Sequence, residues 1–125
     1  MTEYLALDDL LALCRDLGVQ VRDGGLLHAA AERPTTTIYG SDTYPDLHSK
    51  AGALMQSLAR NHALLDGNKR LAWLATVVFY GLNGMVVDAP DDEAYDLVIG
   101  VSTGDIDVDE IAARLTPWAH TSAPS

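Results

Sequence analysis

The sequence predicts a mostly α-helical domain in which six helices surround a central buried helix, with one short β-hairpin as a flap. Three observations carry this. Apolar residues recur at helical spacing through most of the chain, between capping residues and Gly or Pro stops. A single stretch is β-branched and aromatic enough to read as a strand. The run from Leu71 to Leu82 is apolar on all sides, the pattern of a helix enclosed by others.

Taken in order, Asp8 or Asp9 caps a first helix whose Leu10, Leu11, Cys14 and Leu17 share a face, with Gly18 as its stop. Asp23 caps a second helix carrying Leu26, Leu27, Ala30 and Ala31, which ends before Pro34. The strand candidate is Thr35 to Gly40, folding back with Ser41 to Tyr44 as a hairpin. Pro45 and Asp46 open a third helix with Leu47, Ala51, Leu54, Met55 and Leu58 at helical spacing, ending at Asn61. A fourth starts near Asn68, with Leu71, Leu74, Ala75, Val78 and Leu82 on one face and Trp73, Val77 and Tyr80 on the other. Asn83 and Gly84 close it. Met85 to Val87 is too short to assign. Pro90 and Asp91 lead a fifth helix stopped by Gly104, and Asp107 with Glu110 has capping-box spacing for a sixth, terminated by Pro117. Residues 1–125 read as a single domain, with a tail over 119–125 expected to fray.

The bulk properties narrow the class. A chain of 125 residues with 48% apolar content buries a real core and is not disordered. No apolar run reaches the roughly 20 residues that span a bilayer, and Met1 to Tyr4 lacks the features of a signal peptide. The one cysteine, Cys14, excludes an internal disulfide framework; a cytoplasmic location is the expectation. A net charge of −10 argues against coating nucleic acid or an anionic membrane. Yet three of the eight basic residues, Arg60, Lys69 and Arg70, gather around one motif. A local positive site on an acidic protein suits a small anionic ligand.

That motif is the segment from His62 to Arg70, just before the buried helix. Backbone N–H groups and the dipole of a helix start both favour an anion there, a nucleotide phosphate above all. His62 is the group most able to accept a proton near neutral pH. Asp66 offers the hard oxygens that Mg²⁺ prefers. Gly67 removes a side chain where backbone passes close to a phosphate. Asn68, Lys69 and Arg70 supply an amide, a point charge and a planar fork for phosphate oxygens. Phosphoryl transfer needs positioning, a metal and cationic stabilisation, and all three are represented. The same residues also fit a plain connector, an Asp-Gly-Asn turn followed by a solvated Lys-Arg.

Other chemistry-bearing residues read as structural. His28 sits on an Ala-rich helix, and His48 and His120 have no partner at metal-ligand spacing. Cys14 fits a small core residue. The acidic cluster from Asp88 to Asp96 lacks calcium-loop spacing, and Trp73 and Tyr80 fit a core better than a base-stacking platform.

The chain resembles the Doc (death-on-curing) toxins of the Fic/Doc superfamily. Their motif runs His, an aromatic two residues on, an acidic residue, a small residue, then Asn-Lys-Arg. Here the positions are His62, Leu64, Asp66, Gly67, Asn68, Lys69 and Arg70. Arg33-Pro34, Tyr44-Pro45, the helix from Lys50, Asn83-Gly84, the stretch from Val98 to Gly104 and the helix opened by Asp107 also look like the Doc pattern. The resemblance covers most of the chain, from the first helix to Leu115. Leu64 stands where Phe is usual, Leu71 where Thr is frequent, and Leu74 where the best-known Doc pattern carries Asn.

The resemblance implies a Fido fold and an ATP-dependent transfer to a hydroxyl of a protein target. Doc proteins are kinases that phosphorylate a threonine of elongation factor Tu and so block translation. In that scheme His62 takes the hydroxyl proton, Asp66 holds Mg²⁺, and Gly67, Asn68, Lys69 and Arg70 bind the ATP phosphates. A Phd-type antitoxin would inhibit in trans, because no Ser/Thr-x-x-x-Glu-Gly/Asn segment occurs in the chain. Two alternatives remain at this point. One is a Fic-like AMP transferase, against which Lys69 and Trp73 speak. The other is a catalytically weakened Fido binding module, favoured by Leu64 and Leu74.

Overall fold

The computed structural model describes residues 1–122. The chain forms α1 (Leu7–Leu17), α2 (Gly24–Glu32), β1 (Thr37–Ile38), β2 (Ser41–Asp42), α3 (Leu47–Arg60), α4 (Asn68–Leu82), β3 (Met85–Val87), α5 (Asp91–Ser102), α6 (Val108–Leu115) and β4 (Ala119–Thr121). Among the described residues no helix is long and apolar enough to cross a membrane.

Three of the helix starts form as the sequence indicates. Asp23, Asp46 and Asp107 each accept the N–H three residues on, at 3.1, 2.7 and 3.0 Å. Each removes one orphan donor, an effect of about 1 kcal/mol. The first helix starts earlier than Asp8: Ala6 holds the cap position, and Asp9 reaches back from the third helical residue to accept the Ala6 N–H at 2.8 Å. At α6 the expected box is half built. Glu110 pairs with Arg114 at 3.1 Å along the helix face, and Asp107 caps alone.

Helices α3 and α4 share the centre. On α3 every residue from Ser49 to Gln56 is buried, as are Leu58 and Ala59. Its small residues admit close neighbours: a Cβ on Gly52 would lie 3.0 Å from the Val108 carbonyl of α6. Helix α4 buries Leu71, Ala72, Ala75, Thr76, Phe79 and Tyr80, and the Thr76 hydroxyl donates to the Ala72 carbonyl at 2.7 Å. This stripe differs from the expected face. Leu74 and Val78 are half-buried and Leu82 is exposed, because α4 is covered on the α3 side and more open along Trp73, Leu74 and Val77. Leu10 and Cys14 of α1, Leu27 of α2, Leu97 of α5 and Ile111 of α6 complete one core. Each fully buried Leu adds about 1.5–3 kcal/mol.

The expected strand over 35–40 shrinks to Thr37–Ile38. Arg33, Pro34 and Thr35 form a 3-10 turn, and the hydroxyls of Thr35 and Thr36 donate to the Glu32 and Arg33 carbonyls at 2.7 and 3.0 Å. Local bonds of this kind compete with a ladder. The remaining pair closes a tight hairpin, Thr37 opposite Asp42 and Ile38 opposite Ser41, with Tyr39 (φ 51°) and Gly40 (φ 80°) at its turn. Positive φ at both turn residues matches the twist of the flanking strands. The hairpin is tied to α3 by Lys50, which is 2% exposed and donates to the Asp42 carboxylate at 3.0 Å and to the Tyr44 carbonyl.

The unassigned segment Met85–Val87 is a strand, paired antiparallel with Ala119–Thr121 through Val86 opposite His120. Fraying was expected from 119 onward. For 119–121 the structure shows pairing instead, because the turn at Thr116–Trp118 returns the chain to the end of α4. The rest of that expectation, apart from Ser122, lies outside the described residues.

Candidate functional site

The loop from His62 to Gly67 joins the two central helices, and the segment just after α1 holds it in place. Asn61 caps α3, so His62 occupies the next position, where helices commonly place a left-handed glycine. His62 adopts that conformation, with φ 55°. A β-carbon there costs about 1–3 kcal/mol and persists only where surrounding contacts fix it. Those contacts are present. The Arg22 guanidinium donates to the His62 carbonyl through Nε at 3.0 Å and through a second nitrogen. The Arg22 and Asp23 N–H groups donate to the Ala63 carbonyl at 2.8 and 3.0 Å, and the Leu65 N–H to the Gln20 carbonyl at 3.1 Å. Val21 forms a β-bridge with Leu64, whose side chain is 2% exposed and anchors the loop in the core. The His62 ring itself is exposed and has no hydrogen-bond partner among the described residues.

Asp66 is exposed, and its carboxylate accepts the Gly67 N–H at 2.8 Å. Among the described residues no group of three or more His, Cys, Asp or Glu side chains is placed to hold a metal. Gly67 is the cap position of α4 at φ 88°, and a Cβ on it would lie 2.7 Å from Val19 Cγ1. Its requirement is therefore contact with the α1–α2 connection as well as backbone conformation.

Asn68, expected at a phosphate, also has a structural part in the loop. Its Oδ1 accepts the Leu64 N–H at 3.0 Å, and its Nδ2 donates to the Leu64 carbonyl at 3.2 Å. One acceptor and one donor position of the amide close the loop, and a second N–H is left over. Lys69 and Arg70 are exposed at the first turn of α4, and neither is paired with a carboxylate among the described residues. Arg60, grouped with them by sequence, points elsewhere. It donates to the Val101 and Ile106 carbonyls at 2.7 and 2.6 Å and fastens the α5–α6 turn.

A cavity of about 680 Å³ opens between α4 and α5. Lys69 and Arg70 lie in its lining with apolar Trp73, Leu74, Val77 and Val98, whereas His62 and Asp66 do not. Trp73 is half-buried rather than central: it meets Trp118 edge-on, with ring centroids 6.4 Å apart, and walls the cavity. Cys14 is buried, which raises its thiol pKa, in keeping with a core residue.

Among the described residues the site thus presents an unpaired imidazole and a carboxylate on the loop, then two unpaired cations and the orphan N–H donors of a helix start, the cations lining an apolar cavity. The motif alone did not reveal Val19, Gln20 and Arg22 as its support, since the packing of Val19 on Gly67 and the bonds of Gln20 and Arg22 to the loop are long-range. The one local signal in that stretch was Asp23 as a cap. A model of the Fic/DOC family matches residues 3–80. The chain is 51% identical over 124 residues to "Toxin Doc" of Mycolicibacterium smegmatis, covering 95% of each. It is 37% identical over 71 residues to "Protein kinase doc" of Escherichia phage P1, covering 56% of this chain and 55% of that protein. On the extent of these matches, the chain belongs to the Fic/DOC family.

Proposed function

We propose that this protein is the toxin of a toxin–antitoxin pair, a protein kinase that moves the γ-phosphate of ATP to a threonine of elongation factor Tu and arrests translation. The observation that carries it is the pair of cations, Lys69 and Arg70, in no ion pair among the described residues, at the first turn of α4 directly after the loop presenting His62 and Asp66. The similarity to a toxin and to a protein kinase of the same family supports the reaction class.

In this reading the His62 imidazole takes the proton of the attacking hydroxyl as the new O–P bond forms and the bond to ADP breaks. Lys69, Arg70 and the first-turn amides hold the phosphates and meet the spreading negative charge. Asp66 fits a Mg²⁺ that keeps most of its ligands as water and phosphate oxygens, since it is exposed and offers a single carboxylate. When bound, that ion neutralises phosphate charge. Asn68 contributes by closing the loop. Lys69 favours γ-transfer over AMP transfer, because its ammonium adds a point charge where Fic proteins have Gly, and Trp73 replaces their second Arg.

A Phd-type antitoxin would act in trans. The largely apolar cavity, lined by Lys69 and Arg70 but also by Asp88 and Asp91, suits an amphipathic segment whose acidic group meets the two cations and covers the phosphate site. The test is incubation of the purified protein with a translation extract and ATP labelled at either the α- or the γ-phosphate. Label from the γ-position on elongation factor Tu is the expected result, and Lys69→Ala should reduce it. Label from the α-position would replace this reading with AMP transfer.

A further inference from the structure

We propose that Arg22 is a positioning residue for His62, holding the imidazole in its working orientation through the His62 carbonyl. The inference rests on the reading of His62 as the proton acceptor and adds a residue outside the motif to that site.

Three observations support it. His62 has a left-handed backbone at φ 55°, in a position where glycine would be relaxed, so something must hold the imidazole-bearing residue there. The hydrogen bonds to its carbonyl come from the Arg22 side chain, Nε at 3.0 Å and a second guanidinium nitrogen converging on one oxygen. Arg22 is itself registered to the same loop, because its backbone N–H donates to the Ala63 carbonyl at 2.8 Å. The guanidinium therefore starts from a fixed point beside its target, and a planar fork loses little freedom in closing the contact. Arg22 is exposed and pairs with no carboxylate among the described residues, so no ion pair accounts for its placement.

The fork acts on ψ of His62 and the peptide that follows. Without it the His62–Ala63 peptide keeps only the bond from the Ala63 N–H to Asn61 Oδ1 at 3.2 Å, while the Arg22 and Asp23 N–H groups still hold the next peptide through the Ala63 carbonyl, so the His62 carbonyl can turn. The ring would then sample orientations that do not meet the hydroxyl, and misplacement of about 1 Å is enough to cost on the order of 10²-fold in rate.

Arg22→Met, which keeps the apolar stem and removes every donor, is compared with Arg22→Lys, His62→Ala and the Arg22→Met/His62→Ala double variant in the full chain. Two readouts are taken: γ-phosphoryl transfer, and the His62 backbone Cα shift and amide coupling by NMR. Arg22→Met should lower kcat by about 10- to 100-fold with KM for ATP unchanged. Arg22→Lys should recover part of the loss, and the double variant should be no slower than His62→Ala alone. The left-handed signature of His62 should weaken in Arg22→Met while helix signals stay in place. An intact signature in Arg22→Met, or a further loss of equal size in the His62→Ala background, overturns the proposal. Should Arg22→Met fail to fold, Arg22→Lys decides by the same two readouts, an unaltered kcat and signature counting against. Full activity in His62→Ala would instead remove the proton-acceptor reading, with the NMR comparison still deciding whether Arg22 fixes the loop.

Discussion

Asn68 spends both of its hydrogen-bonding ends on a single residue, taking the Leu64 N–H at 3.0 Å and giving to the Leu64 carbonyl at 3.2 Å. Leu64 is 2% exposed, so neither backbone group has ready access to water if the amide is removed. Asn68→Ala should therefore destabilise the fold by about 1–3 kcal/mol, read as a lower urea midpoint, and slow transfer through disorder of the loop. An unchanged midpoint with lost transfer would assign Asn68 to phosphate binding rather than to loop closure.

His62 sets function against stability. Its ring makes no hydrogen bond among the described residues, and its backbone is left-handed. His62→Ala should leave the fold intact and lower transfer by about 10²–10⁴-fold. His62→Gly should abolish transfer and also raise stability, by about 1 kcal/mol, because glycine accepts this backbone without strain. A lower melting temperature for His62→Gly than for the wild type would contradict that account.

Lys50 predicts a local effect. Its buried ammonium joins Asp42 of β2 and the Tyr44 carbonyl to α3, while Asp42 is half exposed and its share of the pair is screened by water. Lys50→Met should speed amide exchange in the hairpin, first at Thr43, whose N–H donates to the Thr36 carbonyl at 3.0 Å. Exchange within α4 should change far less. Uniform acceleration throughout the chain would show that Lys50 supports the whole core instead of the flap.

Tyr80 predicts a pH dependence. Its hydroxyl shares a 2.8 Å hydrogen bond with His48, and burial, followed by the Asp46 carboxylate, raises its pKa. The unfolded chain ionises a tyrosine near pH 10, while the folded chain keeps Tyr80 neutral, so the folded state binds more protons above that value. Its contribution is whole below about pH 10 and falls as pH rises further. Urea midpoints should drop across that range, and Tyr80→Phe should flatten the drop while lowering the neutral-pH midpoint through loss of the His48 bond. An equally steep drop in Tyr80→Phe would assign the effect to other groups.

The sequence exposed what depends on neighbours a few residues apart. The caps Asp23, Asp46 and Asp107 each bond three residues ahead, and the segment from His62 to Arg70 is contiguous, so both could be read directly. The pairing of Val86 with His120 could not, since each strand is three residues long and its partner lies across α5 and α6. Lys50 was legible as a helix residue but not as a buried one, because its partners Asp42 and Tyr44 reach it only once the hairpin folds back. Arg60 was misread for the complementary reason. Its closeness to the motif in sequence carries no information about which way a helix-end side chain turns. The fold class held because helical period and stops are local; the support of the loop by residues 19–23 is tertiary.

The contact between Gly67 and Val19 makes the spelling of the motif depend on a residue outside it. With a Cβ at position 67 landing 2.7 Å from Val19 Cγ1, alanine at 67 requires a smaller neighbour at 19 before it can be accommodated. Substitutions at the two positions should then be inherited as a compensating pair, with the change at 19 coming first. Evolution of this motif would be path-dependent: the same single change at 67 is a defect in one background and tolerable, apart from its φ, in another.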